Sequence, residues 1–349
     1  MFGTTSSNHL RTVRRSTLTL LSALFVFMAT SCNKNSPREL HFAQLPITYS
    51  AVTFLAEQQG YYREAGLNYS SISLPAGPDV VTALKATTGT IATAGGIAIT
   101  PVVTMIGAGD SPVIVATTLR SNTQTKLVTF QSTGITASAS TLKGRKIGVT
   151  KNTNGDVYLY RLLSKGALKE SDVIVTAARP ADLVGLLLRG DIDAAVLWDP
   201  YVVQTLREYR KRLAGGAKSR GEAVVLVDPT LYTLAFNIVT TRGKLLSDRD
   251  GLGRMLQATL RAEGYIRDHR QEAQESLERW LRVEPGNLDD FFATTDFSVR
   301  LDTPQVRQWL GEELNWLHSV RPDAAMPTDL SQFIDASVLG SIDRDRVRQ

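Results

Sequence analysis

The chain has 349 residues, 43% hydrophobic and 21% charged, an ordinary globular composition with room for two lobes. Its formal net charge is +5, but three of the 39 basic residues, Arg11, Arg14 and Arg15, fall in an N-terminal leader; the rest is 36 basic against 34 acidic, too balanced to suggest a nucleic-acid partner. A single cysteine, Cys32, excludes an intrachain disulfide or CxxC site, and the scattered histidines, at 9, 41, 269 and 318, argue against a catalytic metal, though carboxylates alone could still bind a hard cation.

Residues 1–31 combine a basic run, Arg11–Arg15, an apolar run, Leu18–Ala29, and the small residues Ala29-Thr30-Ser31 before Cys32. The apolar run is too short for a membrane span and predicts an export signal. Asn33–Arg38 follows as a polar tether, so residues 32–38 precede the folded part. Glu39–Ala43 is a predicted strand, Gln44–Ser50 a loop, and Ala51–Glu64 a helix closed by Gly66. Leu67–Leu74 is a second strand. Asp79 is the expected cap of a helix running to about Thr87. Gly89–Ala94 is the third strand, Gly95-Gly96 a turn, and Ile97–Ile106 a helix. This alternation predicts an α/β fold with a doubly wound parallel sheet.

Ser111–Arg120 and Leu127–Gln131 are strands around the polar break Ser121–Lys126. The pattern restarts with strand Lys146–Thr150, polar loop Lys151–Gly155 and helix Asp156–Lys165. Strand Val173–Thr176 and helix Ala181–Arg189 follow. Gly190 is a natural left-handed stop. Ala194–Leu197 is short and unbroken, as in a strand buried on both faces. Trp198-Asp199-Pro200 comes at its carboxyl end, with Asp199 as the expected N-cap and Pro200 in the first turn of the next helix. Two readings stand for Trp198 and Asp199: a recognition pair at a strand end, or a buried Trp against a capping Asp. Ala223–Val227 and Leu234–Thr240 are strands. Beyond Gly251 the pattern is helical, ending in the mixed-charge tail Asp343–Gln349, expected to be solvated. The chain thus divides into lobe 1 (39–122), lobe 2 (123–228) and a return to lobe 1 with C-terminal helices (229–349), the crossings lying near Thr118–Phe130 and Val225–Val239.

Three blocks resemble a known family. Pro46…Phe54-Leu55-Ala56…Gly60-Tyr61-Tyr62…Glu64-Ala65-Gly66-Leu67 is similar to its P…A…GYF..EGL opening. Leu142–Val149 resembles its LKGKKIGV strand, and Gly190–Pro200 resembles its GxxDAa…WeP motif. The family comprises ABC-importer solute-binding proteins for nitrate, sulfonates, taurine and thiamine-pyrimidine precursors. The resemblance spans roughly residues 39–320. It implies a two-lobed type II periplasmic-binding fold, with the C-terminal helices packed on lobe 1 and the lobes closing over a small solute. It also implies partnership with an ABC permease and its ATPase, no cofactor or metal, and a monomer. The residues before Cys32 resemble a bacterial lipoprotein box, with Ala29 departing from it; that implies a lipid on Cys32 and anchoring at the cell envelope, the alternative being a plain secretory signal.

The family's binding positions carry over onto Pro46–Ser50, Gly95-Gly96, Thr153-Asn154 with Asp156, and Trp198-Asp199. Thr48, Tyr49 and Ser50 would offer hydroxyls, or simply start a capped helix. Gly95 and Gly96 would admit a ligand to the backbone, or make a tight turn. Thr153 and Asn154 replace small hydroxyl residues that hold an oxyanion in sulfonate binders. Asp156 would repel an anion there, or only complement the helix dipole. If Asp156 and Asp199 both face the cleft, the ligand carries an amine or ring N–H donors. Rival readings are a sensory ligand-binding module and an enzyme on this fold. The thiamine-pyrimidine synthase type has a histidine where Ser50 stands and a cysteine-rich iron site, whereas this chain has no cysteine beyond Cys32. A menaquinone-pathway dehydratase is at odds with an export leader, and a Gly-x-Ser-x-Gly elbow is absent.

Overall fold

The computed structural model describes residues 38–89 and 91–349. The leader, Cys32 and all but the last residue of the tether lie outside them. The chain opens with β1 (Arg38–Gln44), α1 (Ala51–Gln58), α2 (Tyr61–Glu64), β2 (Leu67–Ser73), α3 (Gly77–Lys85), β3 (Ala94–Ala98), α4 (Ile99–Gly107) and β4 (Pro112–Ser121). Gly60, at φ 74, breaks the single helix expected over Ala51–Glu64 into α1 and α2, a backbone that glycine alone adopts freely. Asp79 lies in the first turn of α3, whose N-cap is Ala76, so it is not the cap.

A second correction concerns Gly95-Gly96. The pair is the middle of β3, not a turn after a strand, and the helix starts at Ile99. Gly95 and Gly96 face Val239 and Ile238 across an antiparallel ladder. A Cβ on Gly95 would lie 2.6 Å from Val80, and one on Gly96 2.8 Å from the Phe236 ring. The glycines give neighbouring side chains room within the sheet.

The chain continues through β5 (Lys126–Phe130), β6 (Lys146–Val149), α5 (Asn154–Lys165), β7 (Ile174–Ala177), α6 (Pro180–Arg189), β8 (Ala194–Leu197), α7 (Tyr201–Ala214) and β9 (Ala223–Leu226). β10 (Leu234–Thr241), α8 (Arg242–Ser247), α9 (Arg249–Asp268), α10 (Arg270–Leu281), α11 (Asp289–Thr294) and α12 (Thr303–Val320) complete the main elements. The α/β class and the two-sheet architecture follow from the strand order. One five-stranded sheet runs β2-β1-β3-β10-β4, the other β7-β6-β8-β5-β9. Neither sheet is wholly parallel as expected, because the strand that arrives after a crossing runs against its neighbours: β10 is antiparallel to β3 and β4, and β5 to β8 and β9. β8 is buried at every position, which explains its unbroken apolar run.

Helices α9 and α12 cover the first sheet's own helices, α9 against α1 and α2 and α12 against α4. The tail is only partly solvated: Arg344, Asp345, Arg348 and Gln349 are exposed, but its middle is held. Val347 pairs with Leu301, and Arg346 Nη1 sits 2.6 Å from Glu263 Oε1 on α9. Five charged residues in a seven-residue stretch suggested a free end, but a partly buried acid on another helix holds it.

Candidate functional site

Thr48-Tyr49-Ser50 forms one 3-10 turn ahead of α1, and all three residues are buried. Ser50 stands at the N-cap of α1 but its side chain makes no capping bond, so a capped helix start does not explain this loop. Thr48 reaches instead to the far sheet: its Oγ1 donates to the Asp199 carbonyl at 3.1 Å and its N–H to the same oxygen at 3.4 Å. Tyr49 donates its hydroxyl to the Gln124 carbonyl at 3.0 Å. The Tyr49 ring lies between Trp198, 6.5 Å away, and Phe236, 5.9 Å away. Burial, and then the charge of Asp199, push the Tyr49 hydroxyl well above 10, so it stays a neutral phenol.

Trp198 and Asp199 follow β8. The helix begins at Tyr201, with Pro200 at its N-cap position and no side-chain capping bond. Asp199 therefore does not cap α7. Its Oδ2 lies 2.9 Å from Lys126 Nζ. Trp198 is 4% exposed and abuts the first turn of α5, where a Cβ on Gly155 would meet its ring at 3.4 Å. Asn154 donates from Nδ2 to Thr125 Oγ1 at 2.9 Å. The candidates Thr48, Tyr49, Ser50, Asn154, Trp198 and Asp199 are thus gathered with Gln124, Thr125, Lys126 and Phe236 in one buried cluster between the two sheets. The Ser121–Lys126 polar break, set between two apolar strands, was the one sequence signal for the Gln124–Lys126 part of it.

Other candidates have different employment. Thr153 is the N-cap of α5: its Oγ1 accepts from Gly155 N–H and donates to the Thr150 carbonyl at 2.7 Å. Asp156 pairs through Oδ1 with Lys151 at 3.0 Å and through Oδ2 with the Asn152 N–H at 3.1 Å. Burial raises its carboxyl; Lys151 opposes that shift without cancelling it. With both oxygens engaged in its own turn, Asp156 does not join Asp199, and the two-carboxylate arrangement is not formed. Gly95 faces the core; Gly96 touches the cluster only through Phe236.

Four polar atoms in the cluster are buried without a protein partner: Ser50 Oγ, Gln124 Oε1, Trp198 Nε1 and Asp199 Oδ1. Such atoms each cost about 1–3 kcal/mol when left unmet, so their concentration in one place is informative. A separate cavity of about 210 Å³, lined by Leu127, Tyr158, Leu162 and Leu226, shares no residue with the cluster. Among the described residues, no group of three or more His, Cys, Asp or Glu side chains could hold a metal ion. No helix among them is long and apolar enough to cross a membrane.

The NMT1/THI5 like family matches residues 47–273, more than half of the chain. A candidate binding protein of Brucella abortus (strain 2308) is 25% identical over 250 residues, 69% of this chain and 70% of that one. The periplasmic aliphatic sulphonate binding protein SsuA from Escherichia coli superposes with a TM-score of 0.69 at 20% identity, over 86% of this chain and 98% of that one. The periplasmic nitrate-binding protein NrtA from Synechocystis superposes with a TM-score of 0.66 at 13% identity, over 89% and 86%. The chain has the fold of the periplasmic binding proteins and belongs to the NMT1/THI5-like family.

Proposed function

We propose that this protein is the solute-capturing component of an ABC importer. It is exported, held at the cell envelope by a lipid on Cys32, and closes two lobes over a small polar solute without changing it chemically. The lobes are 39–122 with the returning segment 229–349, and 123–228, each centred on one sheet. Closure buries the solute against Thr48, Tyr49, Ser50, Asn154, Trp198 and Asp199, and the closed form is what the permease reads. One observation carries this reading. Loops from both sheets, widely separated in sequence, converge on four buried polar atoms that lack protein partners. A solute that met those four atoms would remove their cost, so the closed form would be favoured only when loaded. Family membership and the shared fold support the same role.

A thermal-shift screen of sulfonates, taurine, nitrate, pyrimidines and related amines supplies a ligand for the test. Trp198→Ala is expected to weaken its binding by about 2 kcal/mol or more, roughly thirtyfold. Ser50→Ala, which removes an atom with no protein partner, keeps the test interpretable should the larger truncation unfold the chain. Unchanged affinity in either folded variant refutes the assignment of that residue to the site; unchanged affinity in both refutes the site.

A further inference from the structure

Asp199 brings a carboxylate into the cluster, which on its own would call for a cationic solute. Lys126 alters that demand. The Lys126 and Asp199 side chains are 13% and 5% exposed, with Nζ and Oδ2 2.9 Å apart. The sheet register sets them together: Lys126 opens β5 directly opposite Leu197, two residues before Asp199. Shielded from water, the two charges cancel, while Asp199 Oδ1 keeps no protein partner. Gln124 Oε1 is an acceptor, its Nε2 being turned toward Thr123 and Thr294. Trp198 Nε1 is a donor, and the Ser50 hydroxyl can act either way. The unmet atoms therefore ask for donors at two points and an acceptor at one.

We propose that Lys126 sets the charge selectivity of this cleft: by cancelling Asp199 it restricts the site to a small solute of zero net charge that carries at least two N–H or O–H donors and one acceptor. The proposal rests on the solute-capture reading and narrows it. An oxyanion without donors has only lone pairs to offer Asp199 Oδ1 and Gln124 Oε1, and adds a buried charge with no counter-charge. A simple cation meets an Asp199 whose charge Lys126 already offsets, and adds a buried charge of its own. A zwitterion or a neutral amide-bearing ring meets neither obstacle.

The test uses the full chain and five probes at neutral pH, with isothermal titration as the readout. Cytosine is neutral, taurine zwitterionic, ethanolamine cationic, and nitrate and ethanesulfonate are anions without donors. The wild type is expected to bind cytosine or taurine more tightly than the other three. Lys126→Met, which unmasks Asp199, is expected to improve ethanolamine relative to the uncharged probes by at least about tenfold. Lys126→Arg keeps the charge and is expected to keep the wild-type order. A lysine that only braced β8 would change stability without changing that order. A wild-type preference for nitrate or ethanesulfonate overturns the proposal, as does an unchanged order in Lys126→Met or silence from all five probes. Should Lys126→Met not fold, the wild-type order alone decides. Trp198→Ala separates the two layers of argument. If it abolishes a wild-type preference for ethanesulfonate, the charge assignment falls and the cleft stands; probe binding indifferent to it removes the cleft, and the proposal with it.

Discussion

Glu313 should make the protein less stable as the pH rises. It lies on α12, 3% exposed, with the Tyr232 hydroxyl donating to its Oε1 at 3.1 Å. Around it stand Thr100 from α4, Tyr232 ahead of β10, and Arg161 from α5, which is paired with neighbouring Glu312 at 3.2 Å. Burial lifts the carboxyl from its ordinary 4.5 to about 7, and Thr100, Arg161 and Tyr232 offset only part of that. The folded state therefore holds a proton that the unfolded state has released. Whatever stability this contributes is complete below pH 4.5 and lost as the pH rises through about 7. The gap corresponds to about 3 kcal/mol, at about 1.4 kcal/mol per pH unit. Glu313→Gln keeps the shape and the acceptor for Tyr232 but cannot ionise. Its stability should exceed the wild type by less than about 1 kcal/mol near pH 5 and by about 3 kcal/mol near pH 8, the latter a difference of roughly 5 °C in melting temperature for a chain of this size. Differential scanning calorimetry of both proteins at intervals from pH 5 to 8 measures it. Parallel melting-temperature profiles for the two proteins would refute the reasoning.

Asp156→Asn should change stability by less than about 1 kcal/mol, because burial of the carboxylate already offsets the Lys151 pair, while leaving solute affinity unchanged; titration and urea unfolding check the two halves, and a large loss of affinity would return Asp156 to the site. Gly96→Ala should cost about 1–3 kcal/mol, because the added methyl meets the Phe236 ring at 2.8 Å. It should also weaken binding by moving Phe236 against Tyr49; unaltered affinity in a destabilised protein would detach Phe236 from the site.

Local patterns carried the sequence reading where the cause was local. β8 and its four buried residues were legible as an unbroken apolar run after a glycine stop, and Trp198 stands where that strand ends. The reading failed where partners come from far away. Gly95-Gly96 looks like a turn because small residues suit turns, yet its neighbours are Val80 and Phe236, far from it in sequence and invisible to local pattern. Asp156 and Asp199 illustrate the same limit. Both are acids near a helix start, but Lys151, five residues away, claims one, and Lys126, 73 residues away, pairs with the other. Spacing along the chain cannot distinguish those outcomes. Lys126 itself was only one of six polar residues in a break; its strand register turned it into a neighbour of Asp199.

The interchange of strands between the sheets has a consequence for biosynthesis. The second sheet draws all its strands from Lys126–Leu226, so it has everything it needs once that stretch has left the ribosome. The first does not. β3 and β4 are not neighbours; β10 lies between them, and its Asn237 reaches Thr117 across 120 residues of chain. Until Leu234–Thr241 emerges, the inner edges of β3 and β4 stay open to the wrong strand. The half of the protein that is made first is the half that is finished last.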